Sequence, residues 1–364
     1  MNAPRVLLAP VTVTPTKPLS PSHLKGLLWT DVMWRATELV ADVTHLSSHI
    51  TFAPCEQTAG FWEYLDRVVG DVDYTGMGDD EIGELYVRYR KEGQHPTFAA
   101  LRPYLDAIEH DAWTHPVSVR VLELWDEQYA RLGMRPSKSE PARLTLDEMT
   151  ARLGDLGMSL DLSPYGGARY LDATADGLPL RGLVAADGRP NYLACALREL
   201  LDLAPDYDEV VLLYDRELEP DYLLLHRVLR QLGPRVHRVA LGRVPIDGRI
   251  SSARHGDWRG YRVQDLLDSV AGEFDEAAAR LGTRLYLIAG LGPGATESFR
   301  IDLLRRWIAR ADRLLAHAEP GKGEDLVARA RPGDGHVDPY RLATGLFGRG
   351  RPAAPRDLLT RVFT

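Results

Sequence analysis

The strongest constraint on the fold is a strand, a loop and a long helix at the beginning of the chain. The apolar run at residues 5–11, RVLLAPV, is typical of a strand that is covered on both faces of a parallel sheet. A loop rich in Pro and Ser follows and carries Lys17, and from Leu24 onward apolar residues recur with the period of a helix. Residues 43–52 indicate a second strand. Strand, helix and strand in this order predict a nucleotide-binding half-unit.

The start of this helix is a candidate phosphate-binding turn. Ser22 is a natural N-cap residue, which would leave Pro21 outside the helix and place His23 in its first turn. Backbone N–H groups at a helix N-terminus lack partners within the helix, and the helix dipole adds positive potential there. A helix that follows a strand is therefore suited to bind phosphate at its N-terminus.

Helical and alternating patterns divide the rest of the chain. The segment from residue 57 to about residue 156 is helical in pattern, with candidate helices at residues 60–70, 79–93, 97–111 and 117–133. After Gly157 short apolar runs alternate with helical segments, which indicates a parallel sheet. The candidate strands are residues 183–186, 210–214 and 236–241, and the helices between them are residues 191–203 and 221–232. Residues 241–268 hold a polar turn rich in Ser, Arg and Gly between a strand and a helix, so this stretch is a candidate partner of the first loop.

These patterns predict an α/β fold with a Rossmann-like parallel sheet, a helical insertion and a helical C-terminal extension. The final residues are rich in Gly, Pro and Arg and show no long periodic run, so we expect a loosely ordered tail. The predicted parts are the first half of the nucleotide-binding fold, the mainly helical insertion, the second half, the helical extension and the tail, at residues 1–55, 56–180, 181–260, 261–318 and 319–364.

Composition limits the classes of function. The chain has 364 residues, 45% hydrophobic, with a formal net charge of −8, which speaks against a dedicated nucleic-acid binder because such domains are usually basic. Its two cysteines, Cys55 and Cys195, lie far apart, and no CxxC or His-rich spacing occurs, so neither a disulfide scaffold nor a metal site is expected. No apolar run approaches the length of a membrane span and no secretory signal pattern is present, so we expect a cytoplasmic protein.

Three stretches carry a resemblance to a known family. Residues 16–25 read TKPLSPSHLK, where arginyl-tRNA synthetases typically read Asn-Lys-Pro-Leu-His-x-Gly-His-Leu-Arg. Residues 247–256 read DGRISSARHG and resemble the second family signature, roughly Lys-Met-Ser-Ser-Arg-x-Gly after an Asp-Gly. Residues 187–196, DGRPNYLACA, resemble the family's Asp-Gly-x-x-Tyr-Leu-x-x-Asp. The chain is therefore similar to the class I aminoacyl-tRNA synthetase core, and to its arginyl branch in particular.

The resemblance implies that ATP and an acid form an aminoacyl-adenylate, with Mg²⁺ accompanying ATP. His23 would then donate to an ATP phosphate or to the ribose ring oxygen, and Lys17 stands where the arginyl branch often has a lysine when its second signature lacks one. The catalytic residues implied are Lys17, His23, Ser251, Ser252 and Arg254. The ATP-binding residues implied are Ser20, Ser22, His23 and Arg249.

Several positions depart from the family pattern. Ser20 replaces the first histidine of the signature, and Ser22 replaces a glycine that lets adenine approach the backbone, so its side chain is expected to crowd ATP. Thr14 and Ala196 replace the asparagine and aspartate that help to read arginine, and with Tyr192 they are the implied substrate-binding residues. Since a buried guanidinium without a carboxylate is strongly disfavoured, we do not expect free arginine to be the substrate.

The resemblance covers roughly residues 1–270, and about a hundred residues follow the Ser251 loop, where arginyl-tRNA synthetases have a larger helical anticodon-binding domain. We therefore expect an amino acid and a small-molecule or peptide amine as the partners, without tRNA. The alternatives are tRNA-dependent aminoacyl transfer, a non-catalytic synthetase-like binding module and a plain nucleotidyltransferase.

Overall fold

A computed structural model describes residues 3–10, 13–93, 95–135, 140, 142–250, 256, 258–294, 297–347 and 353–364. Its strands are β1 (Arg5–Pro10), β2 (Asp42–His45), β3 (Ser159–Asp161), β4 (Arg169–Leu171), β5 (Arg181–Val184), β6 (Glu209–Asp215) and β7 (Arg235–Leu241). Its α-helices are α1 (Pro21–Thr37), α2 (Glu56–Tyr64), α3 (Asp79–Glu92), α4 (Phe98–Asp111), α5 (Pro116–Arg131), α6 (Leu146–Asp155), α7 (Tyr192–Leu203), α8 (Glu219–Gln231), α9 (Val263–Asp268), α10 (Glu276–Leu285), α11 (Ile301–Ala316), α12 (Glu324–Ala330), α13 (Pro339–Gly345) and α14 (Arg356–Leu358).

The centre of the molecule is a parallel sheet with the strand order β2-β1-β6-β7. The chain passes from β1 outward to β2, returns to the other side of β1 for β6, and continues outward to β7. The direction of winding therefore reverses between β1 and β6, which is where open α/β sheets form a crevice at the carboxyl ends of their strands. This confirms the predicted α/β fold with a Rossmann-like parallel sheet.

Both faces of this sheet are buried. On one face Leu7 and Val210 lie in a core with α7 and α8, and on the other Leu8 and Val211 pack against Met33 of α1. All five side chains are at most 1% exposed. The near-continuous apolar runs of the central strands follow from this two-sided cover.

Helices α3, α4 and α5 agree with the helices predicted at residues 79–93, 97–111 and 117–133, α2 covers the first part of the one predicted at residues 60–70, and α6 follows them. After α6 the chain forms a three-stranded antiparallel sheet of order β3-β4-β5. The strand predicted at residues 183–186 is therefore β5 of this small sheet, and its placement in the parallel sheet is wrong. The run is too short for its apolar pattern to distinguish the two kinds of strand.

Two predicted boundaries near the N-terminus are also wrong. The strand predicted at residues 43–52 ends at His45, and turns follow it. Helix α1 begins at Pro21, so its N-cap is Ser20 rather than Ser22. Proline is favoured as the first helical residue, because the N–H that it lacks would have no partner within the helix.

The expectation of a loosely ordered tail at residues 319–364 is wrong for the part of that segment that the structure describes. It forms α12, α13 and α14, and Leu359, Val362 and Phe363 just after α14 are fully buried. They share a core with Trp29 and Val32 of α1, so the end of the chain supports the first helix of the fold. No helix among the described residues is long and apolar enough to cross a membrane.

Candidate active site

A cavity of about 340 Å³ lies at the carboxyl ends of the parallel strands. Pro10 of β1, His45 of β2, Asp215 of β6 and Leu241 of β7 all line it, and the first turns of α1 close one side. It therefore occupies the crevice beside the reversal of strand order, where α/β folds of this kind bind ligands.

The first turn of α1 fixes the orientation of His23. The backbone N–H of Ser20 donates to His23 Nδ1 over 3.1 Å, and the Ser20 hydroxyl lies 3.4 Å from the same nitrogen. Because Nδ1 accepts a backbone N–H, the neutral ring carries its proton on Nε2. His23 lines the cavity and has a hydrogen-bond donor to offer a ligand there.

The surroundings of His23 keep its ring neutral. Burial, followed by the positive charges of Lys17 and Arg243, lowers the pKa of His23 from its usual value of 6.5 to about 3. A cation at this place would be disfavoured by desolvation and by like charge. At neutral pH His23 is therefore a neutral N–H donor beside two cations, of which Arg243 is already paired with Asp215 and Glu217.

Lys17 is a buried cation in the wall of the same cavity. Its side chain is 6% exposed, and its Nζ lies 3.4 Å from Thr16 Oγ1 and 5.0 Å from the centre of the Tyr86 ring. The hydroxyl of Ser118 anchors the preceding loop by donating to the carbonyl of Pro15 over 2.7 Å. The loop thus holds a largely buried positive charge at a defined position in the wall of the cavity.

The two signature stretches meet beside this cavity. The backbone N–H of Val244 donates to Ser22 Oγ over 3.0 Å, and that of Val263 donates to the carbonyl of Leu19 over 3.1 Å. These contacts lie before and after the second signature. Its predicted catalytic residues Ser251, Ser252 and Arg254 are outside the described residues. Ser22, predicted to crowd ATP, uses its hydroxyl to join the two stretches.

A tight turn leads into the second signature. Asp247 and Gly248 both have positive φ, 49° and 76°, and Ile246 and Arg249 exchange backbone hydrogen bonds of 2.9 Å around them. Positive φ at both central residues explains the Asp-Gly sequence. Arg249 itself is exposed and is not among the described residues that line the cavity, so the structure does not bring it to His23.

A series of hydrogen bonds between uncharged polar side chains lies in the predicted substrate pocket. The Tyr192 hydroxyl donates to Gln57 Oε1, and Gln57 Nε2 donates to Thr14 Oγ1 over 3.4 Å. Thr14, Gln57 and Tyr192 all line the cavity. Ala196 lies one helical turn after Tyr192, is 6% exposed and belongs to the apolar core, so it is not among the described lining residues.

The acidic side chains in the described wall of the cavity, Asp31 and Asp215, are already paired. Asp31 accepts from Arg284 over 2.6 Å and from Arg35 over 3.0 Å. Asp215 accepts from Arg243, which also pairs with Glu217. Neither carboxylate is therefore available to balance a cationic substrate.

Sequence reasoning missed Gln57, Arg243, Asp31 and Asp215 as lining residues. Asp215 is the last residue of β6 and Arg243 follows the end of β7, so the carboxyl ends of the predicted strands were the signal that could have found them. Gln57 and Asp31 carry no such signal. They reach the cavity through the packing of α2 and α1, which local periodicity does not specify.

Comparison with solved structures finds aminoacyl-tRNA synthetases of class I. Arginyl-tRNA synthetase from Thermus thermophilus is similar with a TM-score of 0.66 and 17% sequence identity, covering 99% of this chain and 80% of that chain. Arginyl-tRNA synthetase from Plasmodium falciparum gives 0.53 at 12% identity, covering 83% and 55%. Mycobacterium tuberculosis methionyl-tRNA synthetase, in complex with methionyl-adenylate, gives 0.50 at 11% identity, covering 99% and 82%.

No protein-family profile and no curated protein sequence matches the chain. The resemblance seen in the signature residues is matched by the path of the backbone over nearly the whole chain. The chain therefore has the fold of a class I aminoacyl-tRNA synthetase catalytic core.

Proposed function

We propose that this chain is an ATP-dependent ligase that activates an amino acid as its adenylate and passes the acyl group to a small-molecule or peptide amine without tRNA. One observation carries the proposal. Lys17 and His23 line a single cavity at the carboxyl ends of the strands of a Rossmann-like sheet, and the residues that flank the second signature contact the first signature beside it. The similarity to synthetase structures supports the fold on which the proposed reaction depends.

The arrangement suits transfer of an adenylyl group. A carboxylate oxygen of the amino acid would attack the α-phosphorus of ATP, and the bond from that phosphorus to pyrophosphate would break. Negative charge grows on the phosphate oxygens in this step, so preorganised positive groups stabilise its transition state. His23 Nε2–H and the Lys17 ammonium both face the cavity in which the phosphates would lie.

Mg²⁺ would arrive on the ATP phosphates and neutralise part of their charge. The two carboxylates in the described wall of the cavity are paired with arginines, so they are not placed to hold the metal, and Lys17 and His23 offer donors that fit phosphate oxygens. In the second half-reaction the amine nitrogen would attack the acyl carbon, AMP would leave, and the nitrogen would lose a proton.

The walls of the cavity favour an amino acid without a positively charged side chain. Thr14, Gln57 and Tyr192 offer only neutral polar groups. Asp31 and Asp215 are paired with arginines, and the predicted substrate residue Ala196 supplies no carboxylate. A buried cationic side chain would therefore remain unpaired, at a cost of several kcal/mol.

The full reaction can be tested by following AMP. The chain is incubated with ATP, Mg²⁺, the twenty amino acids, total tRNA and the small-molecule fraction of a cell extract, with or without ribonuclease. We expect AMP formation that requires an amino acid, survives ribonuclease and is accompanied by an amide product in mass spectrometry.

Loss of AMP formation on ribonuclease treatment would replace the proposal with tRNA-dependent aminoacyl transfer. Absence of AMP and of ATP binding in both samples would indicate a non-catalytic binding module.

A further inference from the structure

A second cluster of ionisable side chains lies toward the amino ends of the parallel strands, whereas the cavity lies at their carboxyl ends. Glu209 is the first residue of β6, His237 is on β7, and His336 lies in the segment before α13. Glu209 is 1% exposed and His336 is 4% exposed, whereas the His237 side chain is 36% exposed and gives solvent access to the group. The proposed ligase reaction uses none of these three residues.

The two imidazole rings approach the two oxygens of the Glu209 carboxylate. Glu209 Oε1 lies 2.6 Å from His336 Nδ1, and Glu209 Oε2 lies 3.4 Å from His237 Nε2. One ligand atom from each residue lies within 4.8 Å of both others. Bonds of about 2.0–2.2 Å to a central ion place tetrahedral ligands at separations of this order, so small side-chain movements would admit a cation.

The cluster is supported by its surroundings. The backbone N–H of His336 donates to Glu209 Oε1 over 2.9 Å and holds the carboxylate in place. A Cβ on Gly335 would lie 2.2 Å from Glu209 Oε2, so glycine allows the backbone to approach the carboxylate this closely. The N–H of Val337 donates to Thr37 Oγ1 over 3.1 Å and anchors the segment to α1. Such contacts position metal ligands.

The donor set selects the kind of ion. Two imidazole nitrogens and one carboxylate oxygen are typical ligands of Zn²⁺, with water in the remaining position. Mg²⁺ and Ca²⁺ prefer oxygen ligands throughout. Arg235 lies 3.7 Å from Glu209 Oε2, but its side chain is 53% exposed and can turn into solvent.

We propose that Glu209, His237 and His336 bind one Zn²⁺ ion, which ties the segment before α13 to the amino ends of β6 and β7. The sequence did not reveal this site because its ligands are spread over more than a hundred residues and show no short His or Cys spacing. Its position opposite the cavity assigns it a role in holding the fold together rather than in the ligase chemistry.

The test uses the full chain without a polyhistidine tag, stripped with a chelator and titrated with Co²⁺ and Zn²⁺. We expect one ion per chain, visible absorption bands from bound Co²⁺ that Zn²⁺ removes, and a thermal midpoint that rises with Zn²⁺ because the ion binds the folded state. A folded chain that shows no saturable binding and no Co²⁺ bands would overturn the proposal and leave a hydrogen-bonded Glu–His network.

His237→Ala is the informative variant, because its partly exposed side chain can be removed while the Glu209–His336 pair remains. Loss of a direct ligand should weaken Zn²⁺ binding by about 100-fold or more. The control His317→Ala removes an exposed histidine just after α11 and should bind Zn²⁺ with the affinity of the parent. Equal affinity in the parent and in His237→Ala would exclude His237 as a ligand and contradict the site.

Discussion

At the scale of single residues, His23 combines two roles through its two ring nitrogens. Nδ1 accepts the backbone N–H of Ser20 at the start of α1, and Nε2 carries the proton that faces the cavity. The sequence predicted that His23 lies in the first turn of the helix. It did not predict the contact with Ser20, because that depends on a helix that starts at Pro21.

Two substitutions separate these roles. His23→Asn keeps an acceptor near the position of Nδ1 but removes the Nε2 donor, whereas His23→Gln keeps a donor near Nε2. Loss of one preorganised donor lowers turnover by about 100–1,000-fold in comparable sites. We expect His23→Asn to lose adenylate formation to this extent and His23→Gln to retain at least about tenfold more activity than His23→Asn. Equal activity in the parent and in His23→Asn would remove the Nε2 donor from the mechanism.

The low pKa of His23 predicts how stability depends on pH. Between pH 6.5 and about 3 the unfolded chain protonates this histidine while the folded chain does not. The unfolded state then binds more protons, so acidification through this window lowers the free energy of unfolding. The thermal midpoint of His23→Asn should therefore fall less steeply from pH 6.5 to 4 than that of the parent. If the thermal midpoints of the two proteins fell equally with pH, the low pKa of His23 would be contradicted.

Lys17 should act mainly on the transition state. Its buried charge faces the cavity where charge would grow on the phosphate, so Lys17→Met should lower turnover by about 100–1,000-fold. ATP affinity should change much less, because the interaction strengthens during the reaction. Lys91→Met, at an exposed position near the end of α3, is the control and should leave both quantities unchanged. Unchanged turnover in Lys17→Met would show that the ammonium takes no part.

At the scale of elements, α1 is joined to the loop after β7 by a buried lysine. Lys25 is 1% exposed, and its Nζ donates to the carbonyls of Gly242 and Pro293, each over 3.0 Å. Burial, followed by the charge of Arg216, lowers the pKa of Lys25 to about 8. The contact fixes the helix that carries His23 relative to the strand ends that form the far wall of the cavity.

Gly242 allows this close approach of backbones. A Cβ at this position would lie 2.0 Å from the carbonyl oxygen of Gly294, and neither backbone can yield without disturbing the Lys25 contact. Gly242→Ala should lower the free energy of unfolding by about 1–3 kcal/mol in denaturant titrations. The control Gly154→Ala is at an exposed position of α6 with open space around it, and should be stabilising by about 0.5–1 kcal/mol. An unchanged free energy of unfolding in Gly242→Ala would contradict the close packing of Gly242 against Gly294.

Elements with a strong local period were predictable, and those set by distant partners were not. Helices α3, α4 and α5 and strands β6 and β7 follow their apolar patterns closely. The early end of the second strand, by contrast, depends on pairing with β1 over only four residues. In the cavity, Lys17, His23, Thr14 and Tyr192 were predicted from signature positions, whereas Gln57 and Arg243 arrive through tertiary packing.

At the scale of the whole molecule, Asp31 of α1 links distant parts of the chain. It pairs with Arg284 of α10, whose side chain is fully buried, and with Arg35. Arg35 also donates to the carbonyl oxygens of Thr364 and Gly133. The first helix, the insertion and the final residue therefore meet at one buried ion pair. No local pattern in the sequence indicates such a junction, which also explains why the final segment was taken for a tail.

Asp31→Asn would leave the Arg284 guanidinium buried without a counter-charge. Breaking a buried pair from one side costs about 3–5 kcal/mol, so a loss of this size is expected in the free energy of unfolding measured with denaturant. Glu38→Gln breaks an exposed pair with Arg135 and should cost less than about 1 kcal/mol. Similar losses of unfolding free energy in the two variants would show that the buried Asp31–Arg284 pair contributes no more to stability than an exposed ion pair.

We infer that an aminoacyl-adenylate forms in the cavity at the carboxyl ends of the parallel strands. The most direct test is exchange of labelled pyrophosphate into ATP, measured for each of the twenty amino acids without tRNA and repeated with Lys17→Met. We expect exchange that depends on an amino acid with an uncharged or acidic side chain and that is lost in the variant. If arginine supports exchange best, or if Lys17→Met exchanges as fast as the parent, the assignment of the site is contradicted. If the chain binds ATP but exchanges with none of the twenty amino acids, adenylation of a standard amino acid is contradicted.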